Sequence, residues 1–377
     1  MNTSKKYFEN LDASRFFAFI IVFLAHTFIT TSSEIKSSAV FQFVYDWGKI
    51  GMLGLEYFFV LSSFLISWII LEEKEKTNSF NIKNFLVRRT LRVWPLYFLI
   101  VLIGVLLSYI AKANNIELSP IPPFEYFGLF IINFYIIEHG TNFLFFLAFL
   151  WSISIEEQFY LFWSFVMKFL KISLLWLSIL LIITSIVFRA IYIDESLQLY
   201  FNTISALGNF GIGGITAYIA FYNKSLFRRI IHLKKIHNIL IYTILILSIV
   251  FFHQLNEFEI FTIFSRLYFS ILFALYIIEQ SYGQHRVFEP GKSVFLNYLG
   301  KISYGLYCFH GVVITILIKL LEQFHFTETY WHVFLLYPIL ILTFSILFAH
   351  LSFSYFENYF LKLKAKFYTF TNDKFQS

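Results

Sequence analysis

Apolar runs of about twenty residues recur along this 377-residue chain, and they constrain its fold more than any other feature. A helix needs about 20 mainly apolar residues to cross the hydrocarbon layer of a membrane. We therefore predict an all-α polytopic membrane protein with about ten transmembrane helices. The predicted spans cover approximately residues 11–31, 48–71, 92–112, 143–167, 172–192, 204–222, 238–254, 259–279, 296–319 and 333–357.

The composition supports the same class. Only 14% of the residues are charged and 58% are hydrophobic, whereas a soluble domain carries about 25% charged residues. A soluble enzyme with one membrane tether is excluded, because the apolar runs are spread along the whole chain. We expect a single integral-membrane domain over residues 1–377 with no soluble appended domain. The single cysteine, Cys308, excludes an intramolecular disulfide.

The lysine and arginine residues predict the orientation, because cytoplasmic loops retain positive charge. With the N-terminus inside, most of the 29 basic residues fall on the cytoplasmic side, and both termini are predicted to lie there. The inner residues are Lys5, Lys6 and those within 74–92, 168–171, 224–235, 286–301 and 362–374, and the outer ones are Lys36, Lys49, Lys112, Arg189 and Lys319.

Residues 124–137 form an apolar segment that is too short for a crossing. A crossing here would also reverse every later loop and place clustered lysines outside. We expect an interfacial or re-entrant segment on the outer side, after the break at Pro120, Pro122 and Pro123.

Ionisable residues within spans point to function, since a charge near the bilayer centre costs at least about 2.5–3.5 kcal/mol. In the first span, Asp12 is expected to cap the helix start, with Arg15 one turn inside and His26 eleven residues further. Eleven residues return a helix to nearly the same face after a rise of about 16 Å. One stripe thus carries a cation near the cytoplasm and an imidazole deep in the membrane. The alternative interpretation is a snorkelling arginine and a structural histidine.

Glu56 lies in the outer half of the second span. It can pair with His26 and so fix the tautomer and raise the basicity of the imidazole. It can equally be a packing pair or reach water at the outer face. The sequence leaves these interpretations open.

Arg88, Arg89 and Arg92 lie at the cytoplasmic mouth of the third span. Their planar guanidinium groups suit phosphate recognition. The alternative is a positive anchor that touches anionic lipid.

Glu156 and Glu157 are adjacent carboxylates near the middle of a span, which packing alone does not explain. Glu156 and Tyr160 share a helix face, whereas Glu157 points about 100° away. At least one of the two acids is expected to be functional or to neutralise a basic partner.

Tyr304, Tyr307 and His310 recur at a spacing of three and form a polar ridge on the ninth span. An aromatic interface belt explains the tyrosines but not the histidine. A metal site would need His26, His310 and Glu156 to meet, and the chain has no local His-x-x-x-His pair. We therefore predict no metal.

The ordered motifs resemble the integral-membrane acyltransferase 3 family, which includes O-acyltransferases that modify bacterial surface polysaccharides and peptidoglycan. The resemblance covers nearly the whole chain. The matching motifs are Leu11-Asp12-x-x-Arg15 with His26, the run from Gly51 to Ser62, Arg89-x-x-Arg92, the run from Trp151 to Tyr160 and the run from Ile302 to His310.

The resemblance implies ten spanning helices, an acyl-CoA donor taken from the cytoplasm and transfer to an acceptor hydroxyl at the outer side. It makes His26 the catalytic histidine and assigns Arg15, Arg89 and Arg92 to the donor path. Two positions depart from the family pattern. Glu56 stands where aspartate is commoner, and Ser63 stands where a glycine usually follows Ser62.

The leading hypothesis is an O-acyltransferase of the bacterial cytoplasmic membrane that moves an acyl group, expected to be acetyl, from acyl-CoA to a hydroxyl. The acceptor would be a cell-envelope polysaccharide, peptidoglycan or a lipid-linked sugar, and polysaccharide-biosynthesis proteins are candidate partners. The predicted catalytic residues are His26, as base or transient acyl carrier, Glu156 and Glu56. The predicted donor-binding residues are Arg15, Arg88, Arg89 and Arg92. The predicted acceptor-side residues are Trp151, Ser152, Glu157, Tyr160, Tyr304, Tyr307 and His310.

The rival hypothesis is a transporter or flippase for a lipid-linked sugar or an acyl donor. Buried charges are equally expected there, but no internal repeat or pair of broken helices is visible in the sequence. Besides the lipid bilayer, the expected ligands are acyl-CoA as co-substrate and the glycan acceptor. No permanently bound cofactor and no nucleic acid are expected.

Overall fold

The computed structural model describes residues 9–48, 50–170, 172–324 and 327–367. Within these ranges the chain is helical and contains no β-strand, which confirms the predicted all-α class. The predicted positions of Lys5, Lys6, Lys49, Lys171 and Lys374 lie outside the described residues.

Twenty α-helices follow one another along the described chain. They are α1 (Glu9–His26), α2 (Ser33–Ser37), α3 (Ala39–Gly48), α4 (Gly51–Thr77), α5 (Ile82–Ala113), α6 (Phe124–Gly128), α7 (Ile132–His139), α8 (Phe145–Ala148), α9 (Leu150–Phe169), α10 (Leu174–Ile191), α11 (Ser196–Phe201), α12 (Thr203–Tyr222), α13 (Lys224–Ile231), α14 (Lys235–Val250), α15 (Phe252–Asn256), α16 (Glu259–Tyr282), α17 (Val294–Lys301), α18 (Ser303–Phe324), α19 (Tyr337–Leu351) and α20 (Asn358–Lys364). Two π-helical segments, His332–Leu336 and Ser352–Glu357, flank α19.

Eight helices in the described ranges are long and apolar enough to cross a membrane, or nine if the bent pair of α13 and α14 counts as one span. The sequence predicted ten. The remaining predicted span corresponds to α1, which has 18 residues but carries Glu9, Asp12 and Arg15 in its first two turns. The chain is therefore a multi-pass membrane protein, and its first helix is unusually rich in charge.

The helix α1 is shorter than the predicted span, because it ends at His26 and not near residue 31. Beyond it, the backbone N–H of Thr31 donates to Glu328 at 2.7 Å, so this segment is bound to a distant part of the chain. The expected cap at Asp12 is also wrong. Asp12 lies inside α1 and forms an ion pair with Arg15.

The apolar segment around residue 130 forms α6 and α7, two short helices that do not qualify as spans. The chain turns between them at Phe130, which has a φ of 55°. The Gln158 side chain donates to the carbonyl of Phe130 at 2.7 Å and to the Asn133 amide oxygen at 3.0 Å. These bonds fasten the turn to α9.

Glycines bring α4 directly against α1. A Cβ atom at Gly54 would lie 2.4 Å from the carbonyl oxygen of Ala18, and one at Gly51 would lie 2.4 Å from the Cβ of Ala25. The contact at Ala18 is with backbone, which has little freedom to move. This close approach fixes the position of α1, and with it His26, relative to α4.

We expect Gly54→Ala to destabilise the protein by about 1–3 kcal/mol, because the added methyl group overpacks the contact with Ala18. Thermal unfolding of the purified protein in detergent would measure the loss. Gly128→Ala is the control, since its Cβ would meet only the Phe124 ring, at 3.3 Å. Equal melting temperatures for the two variants would contradict the prediction.

Candidate functional site

Two imidazoles meet where α1 ends. The ring centroids of His26 and His310 are 5.7 Å apart, and the Phe149 ring lies 4.6 Å from each. The Nδ1 atom of His26 is 2.8 Å from the carbonyl of Val22, and that of His310 is 2.6 Å from the carbonyl of Tyr307.

These carbonyl contacts determine the tautomers. A carbonyl oxygen only accepts, so Nδ1 of each histidine donates its hydrogen, and Nε2 of each neutral ring carries the lone pair. The Nε2 atom of His310 is buried and has no hydrogen-bond partner within the described part of the chain. The pair therefore offers basic nitrogens that are suited to accepting a proton or an acyl group.

The predicted residues Ser152 and Tyr307 hold the third ring of this cluster. The Tyr307 hydroxyl donates to the carbonyl of Phe149 at 2.9 Å and lies 2.7 Å from the Ser152 hydroxyl. Phe149 occupies the break between α8 and α9, and its carbonyl also accepts from the Ser152 hydroxyl at 3.3 Å. These side chains position the Phe149 ring against both imidazoles.

Glu156 forms a second polar cluster on α9. Its carboxylate accepts from the Ser62 hydroxyl at 2.8 Å and from the Tyr160 hydroxyl at 2.8 Å. The Arg89 guanidinium lies 5.3 Å from the centroid of the Tyr160 ring, and the charges of Arg89 and Arg92 act on the carboxylate. Tyr160 thus connects the Glu156 carboxylate with Arg89, one of the predicted donor arginines.

Positive groups converge at the end of the bundle where α1 begins, which we call the arginine face. Arg15, Arg89 and Arg92 lie close enough for their charges to interact. Lys364 on α20 faces all three charges as well. Within the described ranges, Arg15 forms an ion pair with Asp12. The excess positive charge suits a polyanionic ligand.

Arg88 has a different role from its neighbours. Its guanidinium is buried, lies 3.6 Å from the Glu73 carboxylate and donates to the carbonyl of Phe367 at 2.6 Å. These contacts connect α4, α5 and the end of the described chain. Arg88 therefore stabilises the packing of these elements, and its role in donor binding stays a prediction.

Glu56 does not lie against His26. Its carboxylate is 3.7 Å from the Nε atom of Arg266, a contact that the sequence analysis did not predict. The reason is helix rotation, since position 56 points about 200° away from the Gly54 face that packs on α1. Glu56 is also buried, at 3% exposed, so it does not reach water at the outer face either.

The other acceptor-side candidates are dispersed. The Trp94 indole donates to Glu157 at 2.8 Å, and the Tyr304 hydroxyl donates to the carbonyl of Val93 at 2.8 Å. The Trp151 ring centroid lies 5.2 Å from that of Tyr200. Within the described residues, Glu157 and Tyr304 form no hydrogen bond with either histidine.

Three residues near these clusters were not among the predicted site residues. Lys364 belongs to a terminal basic run in which no sequence signal separates it from its neighbours. Glu357 ends a π-helical segment, a feature often found at functional sites, and accepts from Ser352 at 2.8 Å. Arg266 did carry a signal, because it is a charge within a predicted span.

No group of three or more histidine, cysteine, aspartate or glutamate side chains that could hold a metal occurs in the described ranges. The His26–His310 pair therefore has no third ligand of these types there. The site thus has basic nitrogens at the end of α1, in the histidine pair, and cations at the beginning of α1, in the arginine face.

The site combines, within a helical membrane domain, an imidazole pair of which His310 is buried and a cluster of arginines. Comparison with known families identifies the domain, because residues 8–350 match the model of the acyltransferase domain family, acyltransferase 3. The chain belongs to this family, which confirms the resemblance found in the sequence.

Several curated proteins are related to the chain. It is 26% identical over 349 residues to the peptidoglycan O-acetyltransferase OatA of Listeria monocytogenes, covering 85% of this chain and 51% of that protein. It is 24% identical over 345 residues to the putative peptidoglycan O-acetyltransferase YrhL of Bacillus subtilis, covering 82% and 52%. A putative O-acetyltransferase of Staphylococcus aureus strain COL is 26% identical over 293 residues, covering 72% and 47%.

The chain thus spans about half the length of the curated relatives it matches. No solved structure gives a significant match to it.

We expect Arg88→Met to destabilise the protein by about 3–5 kcal/mol, because it leaves the buried Glu73 carboxylate without its ion-pair partner. Glu73 is 1% exposed. Thermal unfolding in detergent would report the loss. The double variant Glu73→Gln with Arg88→Met should recover part of it, since glutamine is uncharged. Arg228→Met, at an exposed position, is the control; equal stability of the two single variants would refute the structural role.

Proposed function

We propose that this protein is a membrane O-acetyltransferase that moves an acetyl group from acyl-CoA to a hydroxyl of peptidoglycan or another cell-envelope glycan. The observation that carries the proposal is the separation of two sites along one helix. Arg15 stands in the cationic cluster, and His26, eleven residues and about 16 Å further, stands beside His310. Family membership and the names of the relatives agree with this chemistry.

In this proposal the arginine face is the cytoplasmic side. Arg15, Arg89, Arg92 and Lys364 bind the phosphates of the donor, since guanidinium groups match phosphate geometry and lysine adds a point charge. The long, thin pantetheine arm then extends toward the histidine pair, and the thioester carbonyl comes to lie near His26. Glu156 holds the cationic cluster in place through Tyr160 and Ser62.

The transfer step needs one base. His26 Nε2 takes the proton of the acceptor hydroxyl while the hydroxyl oxygen attacks the thioester carbonyl carbon. Collapse of the tetrahedral intermediate breaks the C–S bond, and the sulfur leaves with the proton. In the covalent variant of this mechanism, His26 Nε2 attacks the thioester carbonyl carbon, the C–S bond breaks and CoA leaves as the thiolate. The acceptor hydroxyl then attacks the acetyl-imidazolium, the C–N bond breaks, and the hydroxyl proton passes to the thiolate. Rapid quenching and mass spectrometry of the protein would distinguish the two by detecting acetyl-histidine.

We expect His26→Ala to lower acetyl transfer by at least about 10²–10⁴-fold, the usual contribution of a general base. The measurement is transfer from labelled acetyl-CoA to peptidoglycan fragments by the purified protein. His232→Ala is a matched control, because His232 makes the same Nδ1 contact with a carbonyl four residues earlier, at 2.7 Å, but is exposed. Full activity of His26→Ala would rule out its catalytic role. Uptake of the label into vesicles without covalent product would favour a transporter.

We expect the double variant Arg89→Gln with Arg92→Gln to weaken acetyl-CoA binding by about tenfold or more. Its binding should also depend less on salt than that of the unchanged protein, because fewer phosphate contacts remain. Equilibrium binding at two salt concentrations measures both effects. Arg228→Gln with Arg229→Gln removes the same charge from exposed positions and should leave binding unchanged. Equal acetyl-CoA affinities of the two double variants would indicate that Arg89 and Arg92 only anchor the helix to anionic lipid.

A further inference from the structure

A second buried cluster of charged residues lies away from the arginine face. It consists of Glu56 on α4, Arg189 on α10 and Arg266 on α16, each at most 3% exposed. All three guanidinium nitrogens of Arg189 donate hydrogen bonds. It donates to the carbonyls of Leu199, Thr262 and Ile263 and to the hydroxyls of Ser205 and Ser265.

Arg266 is only partly engaged. Its Nη2 atom donates to the carbonyls of Leu199 at 3.1 Å and Tyr200 at 2.9 Å. The contact between its Nε atom and Glu56 is 3.7 Å, too long for a hydrogen bond. Nε and Nη1 of Arg266 and Oε2 of Glu56 are buried and have no hydrogen-bond partner in the described ranges. Buried polar atoms without partners are rare and call for a ligand or water.

The unpartnered atoms indicate which chemical group could bind to them. A guanidinium only donates and a carboxylate only accepts, so the two together complement a group that both accepts and donates. A hydroxyl is such a group. Glu56 disfavours an anion here, and two arginines disfavour a cation. A neutral polyol, such as a sugar, fits the cluster best.

The surroundings connect this cluster with the histidine pair. The Tyr200 carbonyl is bound by Arg266, and the Tyr200 ring lies 5.2 Å from that of Trp151. The next residue, Ser152, bonds the Tyr307 hydroxyl.

We propose that Arg266 and Glu56 bind a hydroxyl of the acceptor glycan, with Arg266 donating to the hydroxyl oxygen and Glu56 Oε2 accepting its hydrogen. This inference rests on the proposed acetyl transfer and names the acceptor contact that the transfer requires. Arg266 is a binding residue in this assignment, and Arg189 maintains the position of α11, the helix that carries Tyr200.

The test uses Arg266→Lys, which keeps the positive charge beside Glu56 but removes the second donor. With penta-N-acetylchitopentaose as a neutral acceptor, KM for the sugar should rise about tenfold or more, the usual effect of losing a hydrogen bond to a charged group. KM for acetyl-CoA should stay within about twofold. Arg286→Lys is the matched control, because Arg286 also donates to backbone carbonyls, those of Glu279 and Ser281.

A purely structural or water-filled cluster gives a different result. It predicts an unchanged KM for the sugar, or a lower melting temperature with both KM values altered together, and either outcome overturns the inference. Glu56→Gln provides a second variant, and its effect on the sugar KM should not add to that of Arg266→Lys.

Equilibrium binding of labelled penta-N-acetylchitopentaose, measured without the acetyl donor, separates this inference from the proposed function. If the unchanged protein binds the sugar and Arg266→Lys binds it about tenfold more weakly, the site is supported even if no acetyl transfer occurs. Acetyl transfer that Arg266→Lys leaves unaltered would refute the site while the proposed function stands. Absence of sugar binding by the unchanged protein would also refute it.

Discussion

The cost of placing charged and polar groups among apolar helices governs this structure. Ionisable groups inside a membrane domain are stable only when they are paired or hydrogen-bonded. Each such group therefore connects helices that are distant in sequence. Glu156 joins α9 to α4 through Ser62, and Arg189 joins α10 to α16 through the carbonyl of Ile263. The polar contacts consequently determine how the apolar helices are arranged.

The same constraint separates the molecule into regions with different chemistry. The arginine face carries clustered cations, the middle of α9 has a hydrogen-bonded carboxylate, and the end of α1 has two imidazoles that form no ion pair within the described residues. Under the proposed function, the charged end of the acyl donor would bind at the arginine face. Its thioester would lie beside the imidazoles in an apolar setting, where electrostatic interactions are stronger.

Much of this arrangement follows from local sequence patterns. The apolar runs predicted the helical class, and the eleven-residue spacing of Arg15 and His26 predicted their levels along α1. Longer-range contacts could not be predicted. Glu56 pairs with Arg266 because of how α4 is rotated against its neighbours. The end of α1 at His26 coincides with a bond from Thr31 to Glu328, 297 residues away. Arg88 and Arg89 are adjacent and chemically identical, and only tertiary packing gives them different partners.

Phe149 has a consequence that extends beyond packing. Its carbonyl is bound by the Tyr307 hydroxyl, and its ring contacts both imidazoles. Backbone and side chain of one residue therefore form a mechanical linkage between the first turn of α9 and the histidine pair. Because one ring contacts both imidazoles, a change of side chain at position 149 would alter the surroundings of both histidines at once.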